Sequence, residues 1–381
     1  MLTIEANMCS TSWRDLWYNI HAERGEYVKT TIRIKLIPDS QQEYCLKQTG
    51  LEYISLVNHI VDYALGQGKM PRLSSARVNA ALPSALKNQV IRDANSVYRK
   101  SLKTHIQPVL KKPVIIWNNQ NYTVSEHCVS VPLLVNGKTQ RMHFRAVTTP
   151  EILEKLSTHE LGTLRISRKN KKWVAQVAIE QPCAENAEGP VVMGVDLNLK
   201  CPAVAATNTG KVKFAGNGRQ NKFVRRKYKS RRKKLGKAKK LNAIRKSEDK
   251  EQRWMKDQDH KISRSVVNFA IQNHVSEIRL EQLEGIRKTT RQSRKNEKNL
   301  HTWPFYRTAQ FIEYKAALAG IRVVYVNPAY TSQACPVCGT RHKMKDRRYK
   351  CKNCGYHGHR DIVGAINIIK APVADGNSPS A

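Results

Sequence analysis

Residues 27–38, YVKTTIRIKLIP, alternate apolar with polar side chains and favour β-branched types, a pattern that predicts a strand. The period then lengthens. Ile54, Val57, Val61 and Ala64 recur at helical spacing, and Leu86, Val90, Ala94 and Val97 do so again behind Pro83, whose fixed φ suits a first helical turn. A small helical unit is therefore expected over 39–110. From Pro113 the β pattern returns, with Asn136-Gly137 marking one hairpin and LRISRKNKKWVAQVAIE forming a second. The aperiodic QPCAENAEGP, rich in turn formers, places a boundary near residue 187.

Beyond that boundary VVMGVDLNLK, CPAVAATNTG and KVKFAG read as three successive strands. A helical stretch follows from Arg219 toward Trp254, then a helix over 261–274, the strand SEIRLEQL, a basic loop over 287–298 and a helix from Pro304 to a stop at Gly320. IRVVYV is a buried strand, and a last helix carries Ile362, Ala365, Ile366 and Ile369 on one face. Three strands followed by alternating helices and strands define an α/β arrangement. The tail, small and polar from residue 372 to 381, is expected to be disordered.

Charge adds a partner to this outline. The chain has 381 residues, enough for two or three domains. Its 67 Lys and Arg against 30 Asp and Glu leave +37, a field that draws polyanions by releasing their condensed counterions. Nucleic acid is the first partner to expect. No run approaches the roughly 18 apolar residues of a membrane span, and no long amphipathic basic stripe suggests a membrane surface. The N-terminal residues lack a secretory apolar core, so the protein is expected in the cytoplasm, nucleoid-associated if prokaryotic. The basic charge concentrates over 219–246, with 15 Lys or Arg and no acid. Lacking partners for ion-pair lacing, this segment is expected to grip phosphates through Arg225, Arg226, Lys227, Lys229, Arg231, Arg232, Lys233 and Lys234, positioning nucleic acid without reading its sequence.

Two groups of residues carry chemistry. Cys335, Cys338, Cys351 and Cys354 form two C-x2-C pairs, each followed by a glycine that allows a knuckle turn. Four thiolates close a tetrahedral Zn²⁺ shell with no open position, so this metal is expected to be structural. His342, His357 and His359 offer alternative ligands, but four sulfurs suffice, and these histidines are read as exposed or facing nucleic acid. Five further cysteines, Cys9, Cys45, Cys128, Cys183 and Cys201, are scattered and are read as small core residues. The second group is acidic. Asp196 and Glu281 each end an apolar strand, and Asp361 opens the last helix. A lone strand-end Asp more often caps a turn, but three acids at core edges would suit Mg²⁺, which prefers hard carboxylates. Such a site can hold two ions about 4 Å apart for phosphodiester hydrolysis. Glu277, Glu284 and Asp346 lack this placement and are read as solvated.

GVDLNLK around Asp196, RLEQL around Glu281, GIRVVYVNPAYTSQACPVCG ahead of the cysteines and RDIVGAINI around Asp361 together resemble TnpB, the transposon-encoded RuvC-like nucleases related to type V CRISPR effectors. The matching order covers about residues 190 to 370. The resemblance implies an α/β ribonuclease-H-like RuvC domain, with Asp196, Glu281 and Asp361 as Mg²⁺-binding catalytic acids. It implies that a β-barrel wedge domain with an inserted helical recognition domain precedes it. The expected division is a first segment and wedge strand over 1–38, recognition helices over 39–110 and the wedge over 111–187. The nuclease domain follows over 188–328, with a basic helical insert near 219–258. The zinc ribbon that binds target nucleic acid spans 329–357, and the last nuclease motif spans 358–371. A guide RNA made from the transposon end, a short recognition motif beside the target, and cutting of double- and single-stranded DNA by one site are likewise implied. Asn198 stands where the family often has Gly, and Val363 where it often has Asn. The rival readings are a nuclease-dead RNA-guided repressor, an accessory or strand-joining protein of transposition, and a zinc-ribbon RNA-binding protein.

Overall fold

The computed structural model describes residues 27–283, 305–344 and 346–374. The chain forms two compact units, one of Lys29–Gln181 and one drawn from Pro182 onward. The first N-terminal residues, the basic loop over 287–298, Glu284 and the tail from residue 375 lie outside the described residues.

In the first unit, β1 (Tyr27–Ile37) buries Ile32, Ile34 and Leu36 and exposes the residues between them, as its alternation requires. Helix α1 (Ser40–Gly66) starts at a capping box in which Asp39 accepts from the Gln42 backbone N–H and the Gln42 side chain accepts from the Asp39 N–H. It buries the expected Ile54, Val57, Val61 and Ala64; α2 (Ser84–Thr104) follows Pro83 and buries Leu86, Val90, Ala94 and Val97. Both periodic faces meet each other, and Tyr53 donates to Asp93 at 2.7 Å between them. The remaining strands are β2 (Val114–Trp117), β3 (Thr123–Val124), β4 (Cys128–Val135), β5 (Lys138–Val147), β6 (Glu160–Lys169) and β7 (Lys172–Pro182). With β1 they make one seven-stranded sheet in the order β2-β6-β7-β1-β5-β4-β3. The β4–β5 turn places Asn136 and Gly137 at φ of 49° and 77°, and the β6–β7 turn places Asn170 and Lys171 at 51° and 63°. Both are two-residue turns whose positive φ matches the twist of the strands. A short helix missing from the sequence outline, α3 (Pro150–Thr158), starts where Thr149 caps the Ile152 N–H and Pro150 occupies the first turn.

The second unit holds a five-stranded sheet of β8 (Val192–Leu197), β9 (Ala203–Thr207), β10 (Val212–Ala215), β11 (Glu277–Glu281) and β12 (Arg322–Val326), ordered β10-β9-β8-β11-β12. β8, β9 and β10 form an antiparallel meander, whereas β11 runs parallel to both β8 and β12. Helices α4 (Gly218–Lys237) and α5 (Leu241–Gln272) intervene between β10 and β11, and α6 (Phe305–Ala317) lies between β11 and β12. One face of the sheet packs Met193, Val195, Ala205 and Ile278 against Ile262, Val266 and Ala270 of α5 and Ile312 of α6. The other carries α7 (Arg360–Lys370), which comes so close that a Cβ on Gly194 would sit 2.0 Å from the Ala365 carbonyl oxygen. Glycine at 194 is thus the condition for α7 to lie on the sheet.

Three expectations are corrected. The basic helix does not run on through Lys246: it ends at Lys237, Lys239 adopts φ of 52°, and a single 32-residue helix then reaches Gln272. The apolar residues of this segment are few and widely spaced among the cations, so they show no change of phase, and Gly236 just before the stop is the local signal of a helix end. The last helix is rotated from the expected face. It buries Asp361, Val363, Gly364, Ala365, Asn367 and Ile368, while Ile362, Ile366 and Ile369 are half-buried, and the tightest approaches to the sheet fall at Gly364 and Ala365. Glu277 is not solvated either; its side chain is 19% exposed and pairs with Arg279 at 2.7 Å. Among the described residues, no helix is long and apolar enough to cross a membrane.

Candidate metal centres

The parallel register sets Leu280 beside Val195, so the next residues along these strands, Glu281 and Asp196, stand side by side at their C-terminal ends. The chain leaves β8 for β9 on one side and returns to β11 on the other, the kind of switch point at which open α/β sheets form ligand crevices. Asp361 comes from the first turn of α7, and Gly364, one turn on, would place a Cβ 2.9 Å from Asp196 Oδ2. Three acids distant in sequence therefore converge on one edge of the core. Asp361 is 2% exposed and the other two are half-buried.

Each acid has a polar partner that sequence reasoning missed. Asn198, the residue standing where Gly is common, donates from Nδ2 to Asp196 Oδ2 at 2.7 Å. Thr331 donates its hydroxyl to Glu281 Oε1, and the Arg347 guanidinium pairs with Asp361 Oδ2. His359 caps α7 by accepting from the Asp361 N–H at 3.3 Å. Asn367 donates to the carbonyls of Thr331 and Ala334, both at 2.7 Å, tying α7 to the loop that carries Thr331. Asn198 and His359 each lay two residues from the acid they contact. The others join segments 14 to 50 residues apart and leave no local spacing to find.

Burial, together with the neighbouring Glu281 and Asp361 charges, pushes the Asp196 carboxyl up to about 8, and burial raises Glu281 as well against the pull of Thr331. A cation with two or more charges is the direct relief of such crowding. The donor set, all carboxylate oxygen, fits a hard cation such as Mg²⁺. A pH dependence follows. Between its ordinary value near 4 and about 8, Asp196 holds a proton in the folded chain that it lacks unfolded. The metal-free protein therefore loses stability as pH rises through that window, while cation binding, which displaces the proton, strengthens. Calorimetric Mg²⁺ titrations should show affinity rising by up to about tenfold per pH unit from 6 to 8 and levelling above. A flat profile would remove the shifted carboxyl from the site.

The four cysteines form the second centre. Among the described residues they are the group whose potential ligand atoms all lie within 4.8 Å of one another, and the three carboxylates stand further apart, with Arg347 on Asp361. Cys335 and Cys354 sulfurs are 3.5 Å apart, as are those of Cys338 and Cys351. Tetrahedral Zn–S bonds of about 2.3 Å require S···S distances of about 3.8 Å, so the cage is close to the size zinc needs. His342 Nε2 also approaches Cys351 Sγ at 3.5 Å. The ribbon strands β13 (Arg348–Lys350) and β14 (His357–His359) pair antiparallel beneath the knuckles. Their small core unites Cys335, Tyr349 and Cys351 with Val363 of α7, which accounts for an apolar residue at the position where Asn is common.

The eight basic residues all lie on α4. Arg226, Lys227, Lys229, Arg231, Lys233 and Lys234 are exposed, whereas Arg232 pairs with Glu251 of α5 at 2.5 Å. Arg225 is half-buried, its guanidinium pushed down by burial against the nearby Glu251 and Asp259 charges. The acids missing from α4 are thus supplied by α5, and six cations are left facing water.

An open α/β sheet bearing three edge carboxylates, joined to a four-cysteine ribbon and preceded by an antiparallel sheet with inserted helices, is the mixed α/β fold of Cas12-type nucleases. The protein in a cryo-EM structure of a Cas12f1–sgRNA–target DNA complex matches it with a TM-score of 0.70 at 14% identity, covering 91% of this chain and 100% of that one. A family model described as Cas12f1-like, TNB domain, matches residues 305–368. The CRISPR-associated endodeoxyribonuclease Cas12f1 of Syntrophomonas palmitatica is 25% identical over 330 residues, 74% of this chain and 65% of that protein. A TnpB-like protein of Methanocaldococcus jannaschii is 36% identical over 151 residues, 39% of this chain and 54% of that one. The chain is a relative of TnpB and the type V effectors, and it spans less than two thirds of the length of these two curated relatives.

Proposed function

We propose that this chain is an RNA-guided, RuvC-type DNA endonuclease encoded by a transposon, with Asp196, Glu281 and Asp361 as its Mg²⁺-binding catalytic acids. The observation that carries this is the convergence of three crowded carboxylates on one sheet edge in a chain of net charge +37. A pure binding protein has no use for buried acids that repel both one another and nucleic acid. When bound, Mg²⁺ would activate water and stabilise the leaving oxygen of the phosphodiester. Asn198 and Thr331 hold the Asp196 and Glu281 oxygens in place, and Arg347 balances Asp361. The ribbon's cysteines hold Zn²⁺ and fix the segment that carries Arg347 onto α7. The exposed face of α4 supplies phosphate contacts for guide RNA and DNA, the partners with which related Cas12f1 was imaged. In the same reading, 39–110 is the recognition domain, 111–187 the wedge, 188–328 with 358–371 the ribonuclease-H-like nuclease and 329–357 the target-binding ribbon.

The test is to express the chain with its flanking DNA transcribed, sequence the RNA that co-purifies, and challenge the complex with plasmids randomised beside the matching target. Mg²⁺-dependent loss of a defined subset is the expected result. Members bound but uncut would instead establish a guided repressor, and no co-purifying RNA would reject guidance.

A further inference from the structure

Strand β10 sets an aromatic side chain beside the acids that the chemistry above does not use. Phe214 pairs with Val204, and Val204 pairs with Asp196. Residues directly opposite across antiparallel strands share a face, so Phe214 projects from the same side of the sheet as Asp196, two strand spacings or about 10 Å away. It is 47% exposed. Its ring is nonetheless positioned, meeting His359 edge-on with centroids 5.3 Å apart, and His359 is the cap of the helix turn that bears Asp361. Val212, two residues earlier and so on the same face, is 37% exposed, and Leu199, just beyond Asp196, is 46% exposed. Lys213 between them faces the other way, into a cleft of about 680 Å³ lined by Lys261, Arg264 and Lys315. The edge strand is therefore cationic on one side and apolar on the side of the acids.

A ligand that presents phosphate to the carboxylate site and a flat apolar face about 10 Å away is a nucleotide strand with its bases unpaired. Paired bases bury their faces in the stack, whereas single-stranded bases stack on aromatic side chains whatever their sequence. At about 3.4 Å per stacked nucleotide, 10 Å corresponds to about three nucleotides. We propose that Phe214 is the stacking platform for an unpaired base of the strand being cut, within about three nucleotides of the scissile phosphate. This rests on the nuclease reading above and deepens it: Phe214 is a positioning residue for the strand being cut.

The test uses the RNA-loaded complex, with 2-aminopurine placed in turn at the three nucleotides on either side of the cut. Fluorescence should be quenched at one position by the wild-type protein and by Phe214→Trp, and not by Phe214→Ala. Phe214→Ala should raise the enzyme concentration giving half-maximal single-turnover rate by about 5- to 100-fold, the loss of one base–aromatic stack, with the maximal rate little changed. An abasic nucleotide at the quenched position should erase the difference between the two proteins. Recovery in Phe214→Trp separates stacking from a folding defect. A wild-type complex that cuts while Phe214→Ala matches it in quenching and concentration dependence overturns the platform alone. A wild-type complex that does not cut overturns the nuclease reading and the platform with it.

Discussion

Under the proposed nuclease reading, Asp196→Ala is expected to lower DNA cleavage by about 10³-fold or more and to leave RNA binding unchanged. The size follows from position: Asp196 stands near the C-terminal end of the central strand of the sheet, beside Glu281 in register and against Gly364 of α7, so it is the carboxylate between the other two. Removing one preorganised electrostatic group from such a site typically costs about 10²–10³ in rate, and one that also holds the metal costs more. The same substitution should not destabilise the fold. Burial and two like charges already hold Asp196 unfavourably in its charged form, so the metal-free variant should melt at or above the wild-type temperature at pH 8. Asp196→Asn preserves the contact with Asn198 in shape and should be as inactive, which isolates charge from packing. Retained cutting by either variant would move the catalytic assignment elsewhere.

What could be read from the chain depended on whether a feature was local. Helices α1 and α2 and both hairpins were legible, because each is set by a period or a two-residue turn within a few positions of itself. The short α3 was not, since nine residues with one buried side chain carry little period, although Thr149-Pro150 was a usable start signal. The face of α7 was misread for an instructive reason. Hydrophobic pattern weighs Ile362, Ile366 and Ile369 heavily and Gly364 not at all, yet the closest approaches to Gly194 and Asp196 are at Ala365 and Gly364. For the site, the sequence shows three costly acids at core edges, and the structure sets them side by side; their role as metal ligands stands as a proposal. The distant partners of those acids were invisible. Thr331 and Arg347 read as ordinary loop residues until the fold carries them 50 and 14 positions to Glu281 and Asp361. The ribbon lies between: its two cysteine pairs were plain from spacing, but its attachment through Val363 to the helix carrying Asp361 was not.

That attachment makes the ribbon's metal the source of the second large effect. Cys335 and Cys351 are 3% and 1% exposed, and around them the only buried apolar partners in their cluster are Tyr349 and Val363. A core of that size cannot offset the ordering of some 30 residues, so in the proposed reading the ribbon's folding energy comes from a bound metal, worth about 10–16 kcal/mol for structural zinc in isolated finger domains. The Thr340 hydroxyl and backbone beside Cys338 pull its thiol down to about 5, toward the thiolate form that binds metal. Cys351→Ser, or a chelator strong enough to strip zinc, should therefore unfold 329–357 as a local unit while the five-stranded sheet, whose core lies between β8, β11, α5 and α6, survives. Limited proteolysis should then cut within the ribbon, and cleavage of DNA should fall by about 10²-fold or more, because Arg347 and the packing on Val363 no longer steady the first turn of α7. Metal analysis should find one zinc per wild-type chain and none in Cys351→Ser. Zinc added back to the stripped wild type should restore both protease resistance and cleavage, and Mg²⁺ should restore neither. A stripped protein that still resists protease at the ribbon would show that the four cysteines hold their fold without a metal.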